Sequence, residues 1–150
     1  MEVLRRLSRL LDPLLVPLQP VVLLAARLYL ARVFIASGWL KLTNWAQTLD
    51  LFTSEYHVPV LPPQIAAVAG TAGELVFPSL LLLGLVGRPA AVGLFFVNAM
   101  AVISYRDVLL SEGFEAAIGQ HVLWGCLTLA LAVFGPGSLS LDRWLNGKSR

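Results

Sequence analysis

The sequence predicts an all-α protein: a four-helix transmembrane bundle with both termini cytoplasmic, preceded by a short amphipathic interfacial helix. Three observations predict it. Of 150 residues, 57% are apolar and only 13% charged, about half the charged share of a soluble domain. A chain of this length cannot bury that much apolar surface in its own core, whereas a bilayer solvates it directly. Four apolar segments each approach the roughly 20 residues that cross the hydrocarbon, and basic residues gather at one set of their ends.

The elements follow in chain order. Residues 1–20 form an N-terminal segment in which Val3, Leu4, Leu7, Leu10 and Leu11 share a helical face, with Arg5, Arg6 and Arg9 largely elsewhere. That pattern suits a helix lying on an anionic inner surface. Asp12, Pro13, Pro17 and Pro20 interrupt any long apolar run and no small-residue cleavage pattern follows, so the segment does not read as a cleavable signal peptide. The membrane domain covers residues 21–145, with spans at about 21–42, 63–86, 89–105 and 116–135, and residues 146–150 form a polar tail. Each span is read as a helix because lipid-exposed backbone must satisfy its own hydrogen bonds.

Between the first two spans, Trp45, Leu49, Phe52 and Tyr56 recur at helical spacing, a stripe fit to cap the bundle or rest among headgroups. Pro59, Pro62 and Pro63 then reset the chain. The second outer loop, RDVLLSEGFEA, has room for a helical turn or two. Arg5, Arg6, Arg9, Arg88, Arg143, Lys148 and Arg150 fall on one side, against only Lys41 and Arg106 on the other, which places the termini in the cytoplasm.

The composition also excludes functions. Basic residues flank spans and form no patch or stripe, so no nucleic-acid partner is expected. Cys126 is alone, which rules out an intrachain disulfide, a CxxC pair and a cysteine-only metal site, and it reads as a buried small apolar residue. No Gly-rich phosphate loop, HExxH, GxSxG or paired-His span occurs. No catalytic or metal-binding residue is therefore assigned, and catalysis by this chain alone is not expected.

Polar residues within the spans need partners. On a rise of about 1.5 Å per residue, with Val21 and Val86 as inner edges, Arg32 and Glu74 both lie some 17–18 Å deep. The second helix places Ala66, Gly70 and Glu74 on one face, and Pro78 withdraws the amide that would bond the Glu74 carbonyl. Arg32 is thus expected to face the bundle and pair with Glu74. Arg27, about 140° away around the helix, is expected to snorkel to the interface. His121 and Trp124 on the fourth span and Asn98 on the third fall at a similar level. His121 reads as a network histidine rather than a haem or metal ligand, and Asn98 and Gln120 as interhelical hydrogen-bond partners. Trp39 and Lys41 read as interface anchors.

Three stretches resemble the DoxX family: ARVFIASGWLKL in the first helix, GTAGELVFPSLLLLGLVGRPAAVGL across the second and third, and FGPGSLSLDRWL near the C-terminus. The resemblance covers about residues 20–145 and places Arg32, Lys41, Glu74, Arg88 and Asp142 on family motif positions. It implies a four-helix bacterial inner-membrane protein associated with membrane oxidoreductase assemblies.

Three functions follow as expectations. The first is an accessory subunit of a redox assembly that binds quinone or quinol, with Phe34, Trp39, Phe77 and Trp124 packing the ring and Arg32, Glu74 and His121 holding its oxygens; haem is the lesser cofactor candidate. The second is a scaffold recruiting soluble oxidoreductases or peptide-modifying, copper-handling enzymes. The third and weakest is a proton-coupled small-solute transporter, for which 150 residues without an inverted repeat would require a homo-oligomer.

Overall fold

The computed structural model describes residues 10–147, and every regular element among them is helical. Residues 3–9 of the predicted surface helix, and residues 148–150 of the polar tail, lie outside the described residues. Residues 10–15 are helical and continue through a 3-10 turn, Val16–Leu18, into α1, Gln19–Thr43. Then come α2 Trp45–Ser54, α3 Pro63–Leu83, α4 Gly87–Ser104, α5 Arg106–Leu109, α6 Glu115–Phe134 and α7 Leu141–Gly147. Four of these, α1, α3, α4 and α6, are long and apolar enough to cross a membrane.

Local chemistry sets the boundaries. Pro63 opens α3, where a missing amide hydrogen costs nothing. Gly84 closes it at φ 67°, a left-handed cap that glycine adopts without strain. At the start of α4, the Asp142 carboxylate accepts hydrogen bonds from the amides of Val86 and Gly87, both at 2.9 Å. Asp142 thereby ties α7 to the α3–α4 turn.

The helices pack chiefly as α1 on α3, α3 on α4 and α4 on α6. Leu30, Phe34, Leu81, Ala90, Ala91, Leu94 and Leu131 form the buried core. Side chains, not backbones, fill the glycine notches: Val97 sits against Gly73 and the Phe77 ring against Gly93. At the loop-bearing end, Phe52 packs with Ala66 and Ala67, and Trp45, Leu49 and Tyr56 pack against them. The aromatic stripe of α2 therefore caps the bundle.

The two arginines exchange their expected roles. Arg27 is 1% exposed, and its guanidinium donates to four carbonyls: Leu81 (2.6 Å), Leu82 (2.9 Å), Pro136 (2.9 Å) and Leu139 (2.7 Å). It clamps the end of α3 to the chain after α6. Arg32 is exposed and shares a lipid-facing hollow with Leu28, Trp39 and Leu82. The expectation failed because Val21 is not the level at which the other helices end. Arg27 reaches the last turn of α3, so Arg32 stands only about 7.5 Å beyond that level and is itself the residue placed to snorkel. Cys126 is also corrected: it is exposed on the apolar outer surface of α6.

Candidate functional site

Glu74 lies near the middle of α3 and is 7% exposed. The expected Arg32–Glu74 pair is not formed; Lys41 takes that place. Its Nζ donates to Glu74 Oε1 at 2.5 Å and to Ser37 Oγ at 3.2 Å. Lys41 sits in the last turn of α1, and helical side chains lean toward the N-terminus, so the ammonium reaches back into the bundle instead of out to the interface. Gly38 allows the approach, since a Cβ there would stand 3.0 Å from Glu74 Cβ and 2.9 Å from Leu75 Cγ.

This pairing left a signal in the sequence. At about 100° per residue, Lys41 lies within roughly 40° of Arg27 around α1, on the face of buried Leu30, Ala31, Phe34 and Gly38, whereas Arg32 lies roughly opposite Lys41.

The pair stands between two chambers. The larger, about 370 Å³, is lined by Lys41, Glu74, Tyr56 and Ser104 and by apolar groups that include Phe52, Phe77, Phe96 and Met100. Leu61, Ala69, Phe96 and Met100 are exposed, so its mouth opens sideways between α3 and α4 onto the surface that lipid covers. The smaller, about 190 Å³, is lined by Lys41, Glu74 and Tyr56 together with Ser37, His121 and Trp124. Glu74 Oε2 is buried and has no hydrogen-bond partner, and neither has the nearby hydroxyl of Thr71.

His121 and Asn98 meet as a closed unit. The Asn98 amide donates to the His121 carbonyl at 3.0 Å, and its oxygen lies 2.9 Å from His121 Nδ1. Trp124 stacks edge-on against both His121 and Phe34 and donates to the Tyr29 hydroxyl at 3.2 Å. In the chamber wall, Tyr56 packs against Phe52 and Tyr105, and the Tyr105 hydroxyl donates to Glu55 at 3.0 Å. Burial first, and then the carboxylate of Glu74, pushes the Tyr56 phenol up to about 12. The hydrogen bond to Glu55 raises Tyr105 as well.

Of the residues singled out from sequence, Glu74, His121 and Trp124 share the smaller chamber, with Asn98 behind His121. Arg32, Trp39 and Gln120 are exposed and stand apart, while Arg88 and Asp142 lie at the termini-bearing end. Tyr56 was expected only as part of the capping stripe and not in the site, and Ser37 and Ser104 were not singled out, because nothing but their place in the fold distinguishes them. No group of three His, Cys, Asp or Glu residues able to hold a metal occurs among the described residues.

Four apolar helices around a buried ion pair define an integral membrane protein with a polar centre. The chain belongs to the DoxX family, whose sequence pattern matches residues 22–107. It is 31% identical over 133 residues to the inner membrane protein YphA of Escherichia coli K12, covering 83% of this chain and 91% of that protein. It is 28% identical over 136 residues to the inner membrane protein YqjF of the same organism, covering 87% and 97%. No solved structure matches. With these relatives and its four spans, the protein resides in the inner membrane.

Proposed function

We propose that this protein is a non-catalytic membrane subunit of a redox-linked assembly that holds a lipophilic quinone or quinol beside the Lys41–Glu74 pair. The observation that carries the reading is Glu74: it lines an apolar cavity that opens toward lipid, and its buried Oε2 has no hydrogen-bond partner. An orphaned buried acceptor costs roughly 1–3 kcal/mol, more when charged, and a ligand that donates to it removes that cost. The chamber's volume falls in the range of small-ligand sites, with few polar groups in an apolar lining. Phe52, Phe77 and Phe96 would pack the ring, and its oxygens would meet Glu74 and the Lys41 ammonium, which keeps a third N–H free of Glu74 and Ser37.

A bound quinone supplies reversible two-electron, two-proton chemistry. The residues of this chain bind it, orient it and keep water away, and electron transfer belongs to partner subunits. The test is solvent extraction of the protein purified in mild detergent, with quantitation of co-purified quinone per chain. Wild type retains it above the level of detergent extracts from cells lacking the protein, and Glu74→Gln and Lys41→Met retain several-fold less. Equal retention by all three, or none above background, rejects the reading.

A further inference from the structure

We infer that the site discriminates by redox state and binds the hydroquinone in preference to the quinone, an inference that rests on the reading above. The argument is a count of donors and acceptors. The Lys41 ammonium has three N–H groups; one goes to Glu74 Oε1 and one to Ser37 Oγ, so one donor remains. Glu74 Oε1 is taken by Lys41, while Oε2 is buried and unmatched. The Lys41–Glu74 pair, which lines the chamber, therefore keeps one unused donor and one unmatched acceptor.

A hydroquinone hydroxyl satisfies both, because it donates to Glu74 Oε2 and accepts from Lys41. A quinone carbonyl only accepts. It can meet Lys41, but it leaves Glu74 Oε2 still unmatched and sets its own lone pairs beside that oxygen. The difference is one charge-assisted hydrogen bond, and its loss leaves a buried acceptor orphaned. The apolar remainder of the chamber makes no such distinction, since Phe52, Phe77, Phe96 and Met100 contact the ring alike in either state. The preference corresponds to at least about tenfold in Kd.

The experiment is anaerobic equilibrium dialysis of the detergent-solubilised protein against trimethylhydroquinone and, separately, trimethylbenzoquinone, with protein-free micelles as reference. About tenfold tighter binding of the reduced probe supports the inference. Equal affinities, or tighter binding of the oxidised probe, overturn it and leave the site itself standing. Binding of neither probe above the micelle reference overturns the inference and the site together. Glu74→Gln, checked for folding by its thermal melt, supplies an independent arm: its side-chain amide can donate to a quinone carbonyl. The preference then shrinks or reverses, and an unchanged preference in that variant overturns the assignment of Glu74 as the discriminating group.

Discussion

Lys41 Nζ stands 2.5 Å from Glu74 Oε1, although Lys41 lies in the last turn of α1 and Glu74 near the middle of α3. The two partners are not equivalent. Lys41 is close enough to its helix end to swing out to the headgroups if its partner is lost, whereas Glu74 has no such exit.

Single substitutions should therefore be asymmetric. Lys41→Met strands a buried carboxylate and should cost on the order of 3–5 kcal/mol. Glu74→Leu frees a lysine that can re-extend and should cost clearly less. The double variant Lys41→Met/Glu74→Leu should melt near wild type. Thermal unfolding in one detergent, run on all four proteins, measures the cycle. If Glu74→Leu proves as damaging as Lys41→Met, Lys41 has no alternative position and the argument fails.

The arginines give a sharper contrast. Arg27 donates to four carbonyls from two separate segments, and Gly84 makes room for it: a Cβ there would stand 2.6 Å from Arg27 Nη2. Arg27→Leu should cost at least about 3 kcal/mol, and Arg27→Lys little less, because an ammonium cannot span four acceptors in a fork. Arg32→Leu, on the exposed face, should stay within about 1 kcal/mol of wild type. The measurement is melting temperature together with membrane abundance. Equal damage at positions 27 and 32 would show that Arg32 has a partner outside this chain.

These pairs show what was legible in the sequence. Length, hydropathy and prolines located four helices, and depth singled out Glu74, Asn98 and His121. Depth alone did not fix the partner of Glu74, because α1 runs past the level where α3 ends, so counting from Val21 set Arg32 too deep. Rotation held the missing information: Arg27 and Lys41 share the face of Phe34 and Gly38. Tyr56 is a different case. Its helical spacing from Trp45, Leu49 and Phe52 marked it as part of the cap, but its reach into the cavity depends on how α2 lies across α3, which that spacing does not encode.

Tyr56 provides a pH test. Burial and the nearby Glu74 carboxylate raise it to about 12 from an ordinary value of 10.0. An acid whose folded pKa is raised contributes stability that is complete below the unfolded value and lost as pH rises through the folded one. Stability should thus fall by on the order of 2 kcal/mol between about pH 10 and pH 12. The drop should be much smaller in Tyr56→Phe. Denaturant titrations at several alkaline pH values, compared between the two proteins, decide the matter, and identical slopes would remove Tyr56 from the buried wall.

Orientation is the last prediction. Of the two basic residues at the loop-bearing end, Lys41 is matched by Glu74 and Arg106 contacts Asp107 at 3.5 Å, which leaves little net positive charge there. Arg88 and Arg143 lie at the other end, with Arg5, Arg6, Arg9, Lys148 and Arg150 on the adjoining chain ends. The positive-inside rule then predicts the termini in the cytoplasm and the ion-pair cavity in the outer half of the bilayer. In a Cys126→Ala background, Ser111→Cys in the second loop should react with a membrane-impermeant maleimide in spheroplasts. Ser138→Cys, between α6 and α7, should react only after permeabilisation. The reverse pattern would invert the protein, and quinol bound beside Glu74 would then lie nearer the cytoplasm.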